Sequence, residues 1–448
     1  MTSEGVPMPP KESEKSFWKS LLENWLSSIL TAILSALIFG STIWISESES
    51  LDLRFKFRGE IPGDSRLVLI DIDDASTSLR PPWKLAELEK LLRPVLERHP
   101  AAVGIDLRFY DSPQNYEGNL QAFVDSLAGF SVPIVLAVAF SEGQLLKPER
   151  AFGSELQSIP PHVYFGSVTL IDPYYPESDS VVRCVRLLMP NKNYPESQFY
   201  ERSPIYAFSL QLLAAAKGID PMQCLAELAA SGLSGSPGEY HLISYANNYR
   251  HAYQKQLAQA DQLLDKFTSI PARELLEGGH TSEWKMRLAR QINDSTIVLV
   301  GATYEKNAPT EDWFRTPLSW NENISGVVVH ANILNWLLRR SFISEPGSLL
   351  TFFMTLGLIT LSWFVIHFIE FKKAVLILVG VFLTYALATF LLFASWEIWL
   401  PLIWPLRVAI YFVLLLGVLD GILSYQWKKK LQWLMPYASS SFLRRKRR

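Results

Sequence analysis

Apolar positions along the chain fall into two patterns. Four long runs lie at residues 25–45, 348–369, 374–396 and 400–425. A bilayer core of about 30 Å is crossed by roughly 20 helical residues, so each run is long enough to span one. The first three carry no charge, and the fourth carries Arg407 and Asp420. Residues 46–347 show the shorter patterns of a globular domain. Residues 67–72 form a short apolar β-branched run, which predicts a buried strand. Leucines at 85, 88, 91, 92 and 96 then share one face of a helix over 85–97. A second strand is expected at 102–106, a short helix at 119–127 and a third strand at 133–139. That alternation predicts a largely parallel sheet with right-handed crossovers. Beyond it, 164–170 and 181–188 are expected to form a hairpin through the turn at 172–176. Helices are expected at 205–217 and 221–230, a loop at 232–238 and a strand at 240–245. The regular pattern returns with strands at 296–301 and 326–330 and a helix at 331–340, which leads almost directly into the second long run. The predicted fold is an α/β extracytoplasmic domain with a largely parallel central sheet, plus four transmembrane helices, one N-terminal and three C-terminal.

Charge orients these pieces. Lys11, Lys15 and Lys19 precede the first run, and Lys372 and Lys373 sit between the second and third. Lys428, Lys429, Lys430 and Arg444, Arg445, Lys446, Arg447 and Arg448 follow the fourth. Glu47, Glu49 and Glu397 lie at the opposite ends, and only Arg339 and Arg340 argue the other way. Positive residues stay cytoplasmic, so both termini (1–24 and 426–448) are expected on the cytoplasmic side of a membrane and residues 46–347 outside it. Trp25, Trp44, Trp363, Trp396, Trp399 and Trp404 lie mostly near run ends, as an interfacial belt requires. The first run could be a cleaved signal peptide, but it is long and no A-x-A pattern follows it, which favours a retained anchor. Ser28, Ala32, Ala36 and Gly40 give that run a small-residue face suited to helix packing and a homo-oligomer.

A net charge of −2 points to no nucleic acid, while the basic tail suits anionic lipid, at about 1 kcal/mol per residue. Asp71, Asp73 and Asp74 end the first strand and Asp106 ends the second. Ligands of open parallel sheets bind outside the carboxyl ends of strands, so Asp73 or Asp74 could share an edge with Asp106, and these acids, with Asp71 and Trp83, are candidate contacts for the amine of a small ligand or a hard cation. Capping and turn roles are the ordinary alternative for them. Phe109 and Tyr110 could line the same edge, or be core. His330 is a candidate ligand or pH-sensing residue, or simply a satisfied helix-start residue. Cys184 and Cys224 could form a disulfide in an oxidising compartment. Within the fourth run, Arg407 and Asp420 are 13 residues apart, about 20 Å along a helix, so each needs another partner or must snorkel. Enzyme patterns are weak. Residues 282–285 fit S-x-x-K without its S-D-N and K-T-G companions, and no G-x-S-x-G, Walker A or G-x-G-x-x-G occurs. No metal site, cofactor or catalytic residue is expected.

The order of several short segments resembles the type-2 CHASE domain, an extracellular sensory domain of bacterial cyclases and histidine kinases. The matching segments are 51–54, 68–76, 81–83, 103–109, 179–183, 297–302, 316–317 and 326–332, and the resemblance covers nearly all of 46–427. It implies a sensor that binds a small ligand or responds to an envelope condition and transmits this through its membrane helices. Family members typically continue into a cytoplasmic output domain. Here 23 residues follow Tyr425, so a separate cytoplasmic effector is expected. The alternatives are a structural subunit of an envelope complex, whose partners are other envelope proteins, and a hydrolase built on the Asp cluster.

Overall fold

The computed structural model describes residues 46–413, except 74–75, 80–81, 108–115, 139, 142–143, 146–158, 171–180, 190–204, 236–239, 246–266, 278–280, 304–312 and 319–322. The expectations for the first apolar run and its small-residue face, Asp74, Phe109, Tyr110, Asp420 and the basic tail lie outside the described residues. Two compact units emerge, Phe55–Ser344 and the described parts of Met1–Arg54 with Glu345–Arg448.

The first unit is an α/β domain around a six-stranded, wholly parallel sheet. Its strands are β1 (Leu67–Ile72), β2 (Ala102–Asp106), β3 (Ile134–Val138), β4 (Val163–Ser167), β5 (Thr268–Pro271) and β6 (Ile297–Ala302), in spatial order β5-β1-β6-β2-β3-β4. The run over 67–72 is buried at every position, which explains why it is apolar without alternation. Val68, Ile70, Ile72, Val103, Ile105, Val298 and Val300 point to one face, where they form a single apolar cluster with four helices. These are α1 (Leu85–Leu96), α2 (Leu120–Ala128), α3 (Ala272–Glu277) and α4 (Ser282–Gln291). Asn119 caps α2 by accepting from Ala122 N at 2.9 Å, and Thr281 caps α4 by accepting from Trp284 N at 3.3 Å. The S-x-x-K match is therefore the first turn of an ordinary helix.

The other face packs α5 (Phe208–Lys217) and α6 (Gly326–Arg339). Glycines set how closely they approach. A Cβ at Gly166 would meet the Phe208 Cα at 2.5 Å, and one at Gly301 would meet the Val327 side chain at 2.5 Å. A further helix, Pro221–Ala230, packs on α5 and starts with Asp220 accepting from Met222 N at 2.8 Å.

Three expectations are corrected here. The hairpin of 164–170 with 181–188 does not form. β4 joins the sheet parallel to β3, and Cys184–Arg186 pairs antiparallel with Tyr240–Leu242. Residues 326–330 are not a strand but the first turn of α6, preceded by a two-residue strand, Ile324–Ser325. The candidate disulfide is not formed, because Cys184 lies in that two-stranded ribbon while Cys224 is buried on the helix beside α5. Burial pushes the Cys224 thiol up to about 11, which leaves it unreactive at neutral pH.

In the second unit, two helices are long and apolar enough to cross a membrane, Ser348–Phe368 and Phe371–Trp396. Their outer surfaces carry exposed Leu349, Phe352, Phe353, Leu376, Leu383 and Leu387. Hydroxyls of Thr355, Thr360, Ser362 and Thr384 donate to carbonyls one turn back, which satisfies them within their own helices. The fourth run begins as helix only at Ile403, since Pro401 lacks a donor and Glu47 caps the helix start. Leu402 N and Ile403 N donate to the Glu47 carboxylate at 2.7 and 2.8 Å. Glu47 opens a helix (Glu47–Arg58) whose Ser46 and Glu49 form a reciprocal capping box, at 2.6 and 3.1 Å. Arg54, fully buried, donates to Ser50 at 3.0 Å and Glu47 at 3.5 Å and lies 5.9 Å from the Phe390 ring centroid. Arg407 is half-buried on the helix that starts at Ile403.

Candidate functional site at the carboxyl edge of the sheet

Register brings two of the predicted acids together. Asp71 on β1 pairs with Gly301 on β6, and Gly301 pairs with Asp106 on β2. The three residues therefore stand at one level of the sheet, at its carboxyl edge. Strand alternation sends both acids to the same face, because Ile70, Ile72, Ile105 and Leu107 all belong to the apolar cluster opposite. That face is the one covered by α5 and α6. Asp71 is 3 % exposed and Asp106 9 %, a level at which ionisable groups occur only when they are paired or serve a site. The Thr303 hydroxyl donates to the Asp71 carboxylate. Thr303 follows Gly301 by two residues, and its own backbone N–H donates to Ile72 O at 3.1 Å.

Gly301 is central to this geometry. With no side chain between the two acids, Val327 and the first turn of α6 descend onto the strand. The N-terminus of α6 consequently lies over the carboxyl edge, where its positive end favours acceptor groups. Its N-cap residue, Ser325, is buried and makes no side-chain capping bond.

The other predicted residues fall elsewhere. Asp73 is half-buried and builds a turn, accepting from Ser76 Oγ at 2.8 Å and, through its carbonyl, from Ser76 N at 3.0 Å. Trp83 lies in the apolar cluster of the opposite face, on a short strand paired with Tyr116. It is core. His330 is neither a junction residue nor exposed. It sits within α6, its ring 5.3 Å from Phe208 on α5 and hydrogen-bonded to the backbone at Val168. Burial holds this imidazole down at about 4, so it is neutral across the physiological range and is not a sensor of near-neutral pH. Ser209 Oγ donates to the His330 carbonyl at 3.2 Å, and Asn332 Nδ2 donates to Val328 O at 2.9 Å.

Sequence reasoning missed Thr303, Ser209 and Asn332. Polar residues within otherwise apolar helix runs were the available signal for the last two. Among the described residues, no group of three or more His, Cys, Asp or Glu side chains is arranged to hold a metal ion. What the edge does present is two carboxylates, a hydroxyl and a helix N-terminus, a set that holds polar ligand groups by hydrogen bonding.

Neither a curated protein nor a solved structure matches the chain. A family model, that of the CHASE2 domain, matches residues 29–369. The match takes in every strand of the parallel sheet, the Asp71–Gly301–Asp106 edge and the first of the two membrane-length helices. The chain belongs to the CHASE2 family, the type-2 CHASE extracellular sensory domains.

Proposed function

We propose that the α/β domain is the receiving part of a membrane-anchored extracytoplasmic sensor. A small polar ligand or an envelope condition acts at the carboxyl edge of the sheet, and α6 carries the response towards the membrane helices and a cytoplasmic partner. The observation that carries this reading is the Asp71–Gly301–Asp106 level. It buries two carboxylates at the edge where open parallel sheets bind ligands, beneath the first turn of the domain's last helix. A ligand there would touch α6 directly, so differential affinity for two positions of that helix would suffice to shift its population.

The reading includes four membrane crossings, with both termini cytoplasmic and the domain outside. The apolar character of Ser348–Phe368 and Phe371–Trp396 supports it, as does the concentration of lysine and arginine in residues 428–448. It is a reading of binding rather than catalysis.

The test is thermal unfolding of the full chain in lipid nanodiscs against a library of metabolites and inorganic ions. A saturable stabilisation of about 2.7 kcal/mol at a hundredfold excess over Kd is expected from a specific ligand. Absence of any saturable shift across the library would count decisively against the ligand-binding form of the proposal.

A further inference from the structure

Unsatisfied polarity and backbone strain are concentrated at the end of α6. Among the described residues, Asn335 Nδ2, Trp336 Nε1 and Ser341 Oγ are sealed from solvent and have no hydrogen-bond partner. Between them, Arg340 ends the helix at φ 54° and ψ 33°. That is the left-handed region, where a Cβ crowds the following carbonyl and where glycine is the usual occupant. Residues 335, 336, 340 and 341 therefore all lie above their relaxed energy. Such features persist only where the surroundings over-determine them, and they cluster at segments that switch.

The surroundings that hold this segment are identifiable. The stretch just before β1 reaches across to it. Asp64 N donates to Asn335 Oδ1 at 2.7 Å, Arg66 Nη2 donates to Leu338 O at 3.5 Å, and Arg339 Nη1 donates to Pro62 O. Arg66 is itself oriented by the Asp64 carboxylate, at 2.7 and 2.9 Å. The Trp336 ring packs edge-on against Phe342, with centroids 5.4 Å apart. The first half of α6 is held differently. Val327 sits on Gly301, and His330 is fixed by Phe208, Ser209 and the backbone at Val168.

We propose that residues 335–341 form a two-state hinge, with residues 62–66 as its catch. The first half of α6 stays docked on the sheet. The last turn exchanges between the strained conformation described here and one in which Asn335, Trp336 and Ser341 reach water and Arg340 leaves the left-handed region. For its purpose this rests on the sensor reading, since an occupied carboxyl edge would bias the exchange. Its test requires no ligand.

The experiment is amide hydrogen exchange on the full chain in nanodiscs, with a thermal melt of each variant. In the wild type, residues 335–341 should exchange faster than 326–334. Arg339→Ala, which removes one bond of the catch, should speed 335–341 about fivefold or more and leave 326–334 unchanged. Arg340→Gly relieves the left-handed strain of the held conformation, and should slow exchange of the segment about fivefold and raise Tm by about 2–4 °C. Trp336→Phe keeps the stack on Phe342 and removes the orphan N–H, so it should act in the same direction. The hinge is refuted if α6 exchanges uniformly along its length and Arg339→Ala does not localise the change. It is equally refuted if Arg340→Gly and Trp336→Phe both lower Tm. A ligand screen without hits would leave these outcomes intact, so failure of the hinge and failure of the sensor reading are separable.

Discussion

The face of the sheet under α1–α4 is almost wholly apolar, whereas the face under α5 and α6 buries two carboxylates, the glycines Gly104, Gly166 and Gly301, an imidazole and an amide. Both faces are made by the same strands, by alternate residues. Ile70 and Ile72 belong to one and Asp71, between them, to the other. The apolar face gains from every methylene it buries, at about 25 cal/mol per Å². The polar face gives up part of that gain and must satisfy each buried group by geometry. A fold selected for stability alone has no use for the second arrangement. On the proposed reading, the contrast separates the scaffold from the part of the domain that would respond.

Breaking the apolar face should have the largest effect. Leu91, fully buried on α1, leaves a cavity when truncated. Leu91→Ala is expected to cost about 3–4 kcal/mol in chemical denaturation, with ligand-linked behaviour unchanged. Acid should act next, through His330 on the polar face. His330 titrates near 4 in the folded chain and near 6.5 unfolded, so the unfolded state binds the proton first. Its contribution is intact above pH 6.5, falls as pH drops from 6.5 towards 4, and is constant below that. The full loss is about 3 kcal/mol, and His330→Leu should remove this part of the pH dependence. Adding a methyl group at Gly166 should cost about 2 kcal/mol, because the Phe208 backbone lies 2.5 Å from the new Cβ and cannot rotate away. The smallest effect is expected from Asp71→Asn, about 1 kcal/mol by the same denaturation assay, since the amide oxygen can still accept from Thr303. If Asp71→Asn proved as costly as Leu91→Ala, the edge would be a structural network and the contrast between faces would lose its meaning.

How much of this was legible in the sequence follows the same division. The strands at 67–72 and 102–106 were readable because burial on both sides leaves short apolar runs. An acidic edge was readable too, but the pair expected there was Asp73 or Asp74 with Asp106, whereas the register sets Asp71 level with Asp106 and Asp73 turns away to Ser76. The leucine spacing at 85–96 gave α1 directly. Long-range pairing was not readable. Cys184–Arg186 finds its partner at Tyr240–Leu242, and no local pattern announces a ribbon closed over that separation. No expected element covered Thr268–Gln291, although it supplies an edge strand and two helices of the apolar face. The start of α6 was misread because Val327, Val328 and Val329 have strand propensity. In the structure all three lie in the first turn of α6, with Val327 seated on Gly301. That error displaced His330 from its true place inside the helix, and with it the reason for its neutrality.

The central claim is that the stimulus acts on the polar face at the Asp71–Asp106 level. The most direct measurement is the saturable thermal shift given by any ligand found for the full chain in nanodiscs, compared among wild type, Asp106→Asn and Leu91→Ala. The account predicts that Asp106→Asn abolishes the shift while keeping a near-native melt, and that Leu91→Ala melts lower yet shifts as the wild type does. A shift retained in Asp106→Asn would contradict it.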